Sequence, residues 1–359
     1  MESATHTAPN LSSAASKHVA QSHLTVLVPA YDEEESVADT VRSLKEQTLP
    51  PEEILVIDDC STDQTSEVAR EAGATVIRPP KNTGTKAGAQ NYALQFVKTE
   101  FTMAVDADTS VAPDAIAKML KALDEPSIAA ACGFVLPRHV KTLWERGRYI
   151  EYLFAFTFYK PIQDYYERPL ISSGCFSIYR TDILKRNGGW QTRTMAEDMD
   201  LTWSFYEQGH GVRFIPSAVC YPIEPHDFNF MGKQLKRWSH GFLQNVQLHW
   251  RGLMREPYLR LTVAVALWDA LIASLAFLFV LPVLCIVVSP LFLLGYVMDA
   301  PAVAVPVLVK GIQRREFLKA LSSLPSFFVL RLFNGVYMLR AAWCEWVVKR
   351  PLRVYEKGH

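Results

Sequence analysis

Charge of one sign is missing from this chain: 37 Lys and Arg are balanced by 37 Asp and Glu across 359 residues. Without a basic excess there is no electrostatic footprint for nucleic acid. Paired cysteine spacing is missing too. Six cysteines (Cys60, Cys132, Cys175, Cys220, Cys285, Cys344) are scattered without a CxxC. That argues against a disulfide framework or a zinc site and for a reducing, cytosolic compartment. There is no P-loop, and no GxGxxG in the right context, so any nucleotide must be held by another device. Residues 1–22 lack the apolar stretch of a signal peptide. Rich in Ala, Ser, Thr and His, they read as a disordered tail, and the soluble domain is expected to start in the cytosol. Charge also nearly vanishes over 258–309, where only Arg260, Asp269 and Asp299 stand.

What is present begins with an alternation. "LTVLVPAY" (24–31), "EILVIDD" (53–59), "TVIRPP" (75–80) and "FTMAVDAD" (101–108) read as short buried strands. Between them, 32–47, 61–73 and 84–97 read as helices; the first has acids in its opening turn and Val37, Val41 and Leu44 at helical spacing. Such alternation predicts an α/β fold with a mainly parallel sheet and helices on both faces. Ligands of such a fold bind at the carboxyl ends of strands. Three of these ends carry acids: Tyr31-Asp32, Asp58-Asp59 and Asp106-Ala107-Asp108. Any one could be an ordinary helix cap; the three together form an acidic rim.

On an extended chain, Asp106 and Asp108 would point to one side, half a shell for Mg²⁺ or Mn²⁺. "NTGTKAG" (82–88) offers Lys86 as a point charge for phosphate, or as an ordinary exposed lysine at a helix start. "SSGC" (172–175) is either a tight turn or a place where substrate approaches the backbone. "TMAEDMD" (194–200) opens a helix; by propensity alone its acids are a solvated cap.

Taken in order, "VPAYDEE" (28–34), "IDDCSTD" (57–63), "DAD" (106–108), "AED" (196–198) and "QLKRW" (234–238) resemble glycosyltransferase family 2. The QxxRW element narrows the likeness to the membrane-integrated branch of hyaluronan, poly-N-acetylglucosamine, chitin and cellulose synthases. The likeness covers roughly residues 24–250. It implies a GT-A fold and an inverting, metal-dependent transfer from a UDP-sugar, glucose or N-acetylglucosamine, to a β-linked polysaccharide. A single transfer to a lipid acceptor is the alternative. Carried over residue by residue, Ala30, Tyr31, Glu33, Asp58, Asp59, Lys86 and Asp106 would contact the nucleotide-sugar, and Asp106 and Asp108 the metal, Mg²⁺ or Mn²⁺. Asp198 would be the general base with Glu197 beside it. Gln234, Arg237 and Trp238 would line the donor–acceptor pocket, and Ser173, Gly174 and Cys175 the acceptor side. Two departures stand out: DDC in place of the commoner DDG or DDS, and GTK in place of GK.

The remaining chain suggests a membrane. Residues 258–309 can supply two spans with a break between Pro282 and Pro290. The basic "KGIQRREFLK" (310–319) after them favours a cytosolic loop, hence a hairpin with the catalytic domain in the cytosol. Residues 324–348 carry Arg331 and Arg340 and read as a third span with its arginines facing protein, or as an interfacial helix. The expected domains are a tail (1–22), a GT-A domain (23–227), interfacial amphipathic helices (228–257), a transmembrane hairpin (258–309) and a C-terminal basic segment (310–359). A multi-pass protein of the plasma membrane is expected, with membrane lipid among its partners and either a second copy or a translocation partner as a further one.

Overall fold

The computed structural model describes residues 22–353. Residues 1–21 of the expected N-terminal tail (1–22) and the last six residues lie outside them. Eight strands form one sheet: β1 Leu24–Ala30, β2 Glu53–Asp58, β3 Thr75–Ile77, β4 Phe101–Val105, β5 Ser110–Val111, β6 Ile128–Val135, β7 Phe176–Arg180 and β8 Gly211–Tyr221. Their spatial order is β3-β2-β1-β4-β7-β6-β8-β5. β1 pairs parallel with both β2 and β4, and β2 with β3. β7 is inserted antiparallel between β4 and β6, and β5 runs antiparallel to β8. The sheet is thus parallel in its first half and mixed in its second.

Strand periodicity sorts the core into two layers. Leu24, Val26 and Val28 bury on one face with Val37, Val41 and Leu44 of the helix Val37–Lys45. Leu27 and Leu55 bury on the other with Ala87, Ala89 and Ala93 of Lys86–Leu94. Side chains of a strand alternate between faces, so one apolar run serves both layers.

The expected first and second helices begin late. The chain turns first at Asp32 and Cys60, whose φ values are 51° and 68°. A left-handed backbone cannot continue into a helix, so the two helices begin at Val37 and Thr65. The acids 32–34 therefore sit in a loop rather than in a first helical turn.

Below the sheet, Leu143–Phe154 continues through a π-turn (Ala155–Tyr159) into Lys160–Tyr165. Phe228–Leu248 carries the QxxRW element. Two helices, Pro257–Val287 and Pro290–Gln313, are long and apolar enough to cross a membrane, and most of their side chains are not covered by protein. The break at Ser289 lies within the expected window. The last long helix, Phe317–Ala342, packs on Leu143–Phe154 and Phe228–Leu248. Its Arg331 pairs with Asp299 at 2.5 Å and stacks on Phe277 at 4.2 Å, so this arginine faces protein.

Candidate active site

The register of β1 with β2 and β4 brings the three acidic ends to one edge, with Ala30 opposite Asp58. The loops there are tied to each other. Asp32 N–H donates to Ser61 Oγ (3.0 Å), and Thr62 N–H donates to Asp32 Oδ1 (2.7 Å). These bonds hold the two left-handed residues, a strain that persists only where surrounding structure determines it.

Asp58 and Asp59 do different jobs. Asp58 is fully buried; Ser61 N–H, Ser66 Oγ and the Arg78 guanidinium all bond its carboxylate. Although burial raises its pKa, these bonds and the Arg78 charge hold it below the usual carboxylate value. Its oxygens are committed to the turn. Asp59 accepts from Thr83 N–H and Thr83 Oγ1, both at 2.8 Å, which clamps the NTGT loop to the end of β2. Gly84 in that loop has φ +80°. Tyr31 is exposed at the same edge, and Ser36 Oγ donates to Glu33 Oε2 (2.8 Å).

Lys86 stands at the first turn of its helix, whose cap Thr85 accepts from Gly88 N–H. It is not an exposed lysine: its side chain is mostly buried, pairs with Asp106, and donates to Gly174 O at 3.1 Å. From the other side of the same Gly174, its N–H donates to Asp198 Oδ2 at 2.8 Å. A methyl group added at Gly174 would lie 2.9 Å from that oxygen and 3.2 Å from Asp198 Cβ. Glycine is needed here for the close approach of the Asp198 side chain. Ser173 Oγ accepts from buried Lys160 (3.2 Å), and Cys175 O accepts from Asp106 N–H (3.4 Å). The SSGC turn thus joins the Asp106 side of the cleft to the Asp198 side.

Asp106 and Asp108 converge by a route that differs from the expected one. β4 ends at Val105, and Thr109 N–H bonds to Asp106 O, so a turn rather than strand pleating presents the two acids. Burial, then the Asp106 and Glu33 charges, push the Asp108 carboxyl up to about 8. Asp108 is thus crowded by acidic neighbours, of which Asp106 is paired with Lys86. Its hard oxygen donors suit Mg²⁺ or Mn²⁺, and a dication would relieve that repulsion. Among the described residues no cluster of three or more His, Cys, Asp and Glu has a metal-cage arrangement. Two carboxylates leave the other coordination positions to water and phosphate, the usual situation for Mg²⁺.

Glu197 is raised by burial and by Asp198, opposed by the charges of Lys86 and Arg237. Asp200 corrects an expectation: read as a solvated position, it is fully buried, bonded by Arg193 (2.7 and 2.8 Å) and by His249 Nε2 (2.9 Å). His249 Nδ1 meets Glu207 at 2.9 Å.

Sequence reading missed three residues. Arg148 is fully buried, lies over the Trp238 ring at 4.5 Å, and donates to Gln234 Oε1 at 2.5 Å. Glu224 faces Arg148 and Gln234 (3.6 and 3.4 Å) and accepts from Tyr152 O–H at 2.8 Å. Burial raises the Glu224 carboxyl, with the Arg148 charge opposing. Arg148 and Tyr152 sit one helical turn apart on Leu143–Phe154. An i, i+4 Arg–Tyr pair among apolar residues was the only available signal, and it is a common one.

Residues 25–188 match the family model "Glycosyl transferase family 2". The chain is 28% identical over 231 residues to the poly-β-1,6-N-acetyl-D-glucosamine synthase of Staphylococcus epidermidis, covering 63% of this chain and 56% of that protein. The synthase of that name from Staphylococcus aureus strain COL is 26% identical over 222 residues, 61% of this chain and 54% of that protein. The chain thus spans about half the length of these curated relatives. Among solved structures, a Pyrobaculum calidifontis mannosyltransferase in complex with GDP-mannose and Mn²⁺ superposes with a TM-score of 0.61 at 19% identity, covering 91% of this chain and 88% of that one. That likeness shows the fold, the expected GT-A architecture.

Proposed function

With a family 2 glycosyl transferase domain over residues 25–188 as the premise, we propose that this protein is a membrane-bound inverting glycosyltransferase extending a β-linked polysaccharide from a UDP-sugar. One observation carries the reading. Lys86 and Asp198 hold opposite sides of the Gly174 peptide, and Lys86 also pairs with Asp106. A donor-side acid and an acceptor-side acid are thus coupled through one backbone unit. Inversion by single displacement needs that layout: negative charge leaves on one side of the anomeric carbon while a proton is taken on the other.

Asp198 is the general base. Gly174 N–H on Oδ2 and Met199 N–H on Oδ1 orient its carboxylate, and the helix N-terminus stabilises the anion. Asp59, Tyr31, Ala30 and Glu33 face the nucleoside end, with Asp58 supporting their turn. Asp106 and Asp108 would hold Mg²⁺ or Mn²⁺, which supplies neutralising charge to the diphosphate. Lys86 and Arg237 add fixed positive charge near the leaving phosphates, where a guanidinium matches phosphate oxygens. Trp238, held by Arg148, offers an apolar face to a sugar ring. Ser173, Gly174 and Cys175 line the acceptor side. The two apolar helices are the membrane hairpin and leave the catalytic domain in the cytosol with the basic 310–319 loop. The relatives' product, poly-β-1,6-N-acetylglucosamine, makes UDP-N-acetylglucosamine the first donor to try and UDP-glucose the second.

Only two helices of the described residues pass the length and apolarity test for spans. That keeps a second reading, transfer of one sugar to a lipid acceptor. Membranes containing the full chain, incubated with labelled UDP-sugars and Mn²⁺ or Mg²⁺, separate the two. A high-mass polymer supports the first and an organic-soluble product the second. No transfer from any donor overturns both.

A further inference from the structure

Helix Lys160–Tyr165 is inside out, and the end of the π-turn before it exposes Phe158 and Tyr159. The polar side chains turn inward: Lys160 and Gln163 are buried, and Asp164 pairs with Arg213 at 2.9 Å. Lys160 Nζ reaches Ile171 O (2.9 Å) and Ser173 Oγ (3.2 Å) in the SSGC turn. Phe156 packs into the core, but the other large apolar and aromatic side chains turn outward: Phe158, Tyr159, Ile162 and Tyr166 are each about half exposed, and Tyr165 is 83% exposed. A helix in water has the opposite pattern.

The outward face is also continuous with the apolar helices. The Tyr166 ring stacks on Tyr258, at the start of Pro257–Val287, with centroids 4.0 Å apart. Along the same helix Trp268 is 65% exposed, and Trp250 just ahead of it is 57% exposed. No unpaired charge interrupts residues 155–166 on their outer side, since the two charged residues there are those turned inward. Tyrosines and tryptophans with an apolar body and a polar tip are the side chains of a membrane–water boundary.

We propose that this face of the catalytic domain, Phe158, Tyr159, Ile162, Tyr165 and Tyr166, is a bilayer-embedded aromatic collar that seats the acceptor side of the cleft against lipid. It rests on the reading of the two apolar helices as membrane spans. The bilayer is the occupant because the collar is contiguous with surfaces that only lipid can cover over such a length. The inward half of the same helix holds the SSGC turn, so lipid contact and the acceptor side share one rigid element.

The test places a photoreactive side chain at one position of the full-length chain in phosphatidylcholine–phosphatidylglycerol vesicles. Tyr165→p-benzoylphenylalanine is compared with the same replacement at Phe279 in the first apolar helix and at Glu71 on the far side of the catalytic domain. After illumination, mass spectrometry reads phospholipid adducts. Position 165 is expected to match position 279 and to exceed position 71 by about tenfold or more. Adducts at 279 with none at 165 above the position 71 level overturn the collar and leave the membrane reading standing. A protein–protein adduct at 165 assigns the face to a second copy and also overturns it. Lipid adducts at neither 165 nor 279 overturn the membrane reading itself, and the collar with it.

Discussion

Asp108 and Asp200 are both carboxylates in crowded surroundings, and the protein treats them oppositely. Asp108 faces Asp106, Glu33 and Glu224, and its carboxyl is pushed up to about 8. At Asp200 burial likewise raises the carboxyl, but the Arg193 and His249 bonds outweigh it, and the group is held below the usual range. At the strand ends Asp108 is crowded by other acids although Asp58 and Asp106 pair with Arg78 and Lys86, while on the helix Glu197–Glu207 Asp200 is paired with Arg193 and His249. An acid compensated within the fold is scaffold. An acid left against its own kind is waiting for a cation or a proton. Asp198 lies two residues before Asp200 and one helical turn from Thr202, whose hydroxyl donates to Asp198 O (2.6 Å). The balanced network therefore anchors the helix that aims it.

The largest effect that would break this division is at Asp198. Asp198→Asn is expected to lower transfer by about 10²- to 10⁴-fold while UDP affinity stays as in the native chain. Turnover and calorimetry on one preparation check it, and lost UDP affinity with intact transfer chemistry would remove Asp198 from the acceptor side. Next comes Arg148→Ala, which leaves Glu224 buried without its countercharge and should cost about 3–5 kcal/mol. Thermal melts in detergent read the loss. A native-like melt would mean that Trp238 and Gln234 are held some other way. Asp108→Asn should weaken Mn²⁺ binding by about 100-fold in the presence of UDP, read by paramagnetic resonance without any turnover. Unchanged affinity would return Asp108 to the class of Asp200.

The smallest effect concerns the balanced side. His249 meets carboxylates through both ring nitrogens, and its pKa is raised: burial opposes this, but the bonds to Asp200 and Glu207 outweigh it. A raised histidine contributes stability fully below its ordinary value of 6.5 and loses it as pH climbs through the higher folded value. The depressed Asp200 contributes above its ordinary 3.8 and loses it as pH falls through the lower folded value. Both act together between 3.8 and 6.5. His249→Gln should cost about 1–3 kcal/mol in that window, with the gap closing as pH rises above it. A gap independent of pH would show that the imidazole is held uncharged.

Much of this was legible in the residues. The strand end at Asp58, the helix opening at Glu197 and the helix carrying Gln234 to Trp238 fall where spacing placed them, whereas the fourth strand stops at Val105 and Asp106 to Asp108 lie in the turn after it. Period-two apolar runs fix strands, and a strand's end fixes its acids at the ligand-facing edge. Less legible was anything that depends on which face a polar residue turns to. Asp200 looked solvated because helix propensity carries no information about His249, 49 positions away. The inverted pattern of the helix Lys160–Tyr165 depends on which of its sides is covered by neighbours, which its own residues do not specify. Arg148 lies 86 positions before Gln234, in a helix with no motif of its own.

By itself the sequence determined the α/β alternation, the acidic strand ends, the two apolar helices and the ordered motifs shared with family 2 glycosyl transferases, since each rests on local periodicity or on motif spacing. Only the tertiary structure decided which acids are paired with cations and which are crowded by other acids. It also decided that Lys86, Gly174 and Asp198 meet across one peptide, and that an arginine from another helix holds Trp238. Electrostatic compensation and side-chain packing are contacts between residues distant in the chain, and a linear pattern does not contain the distances that set their strength.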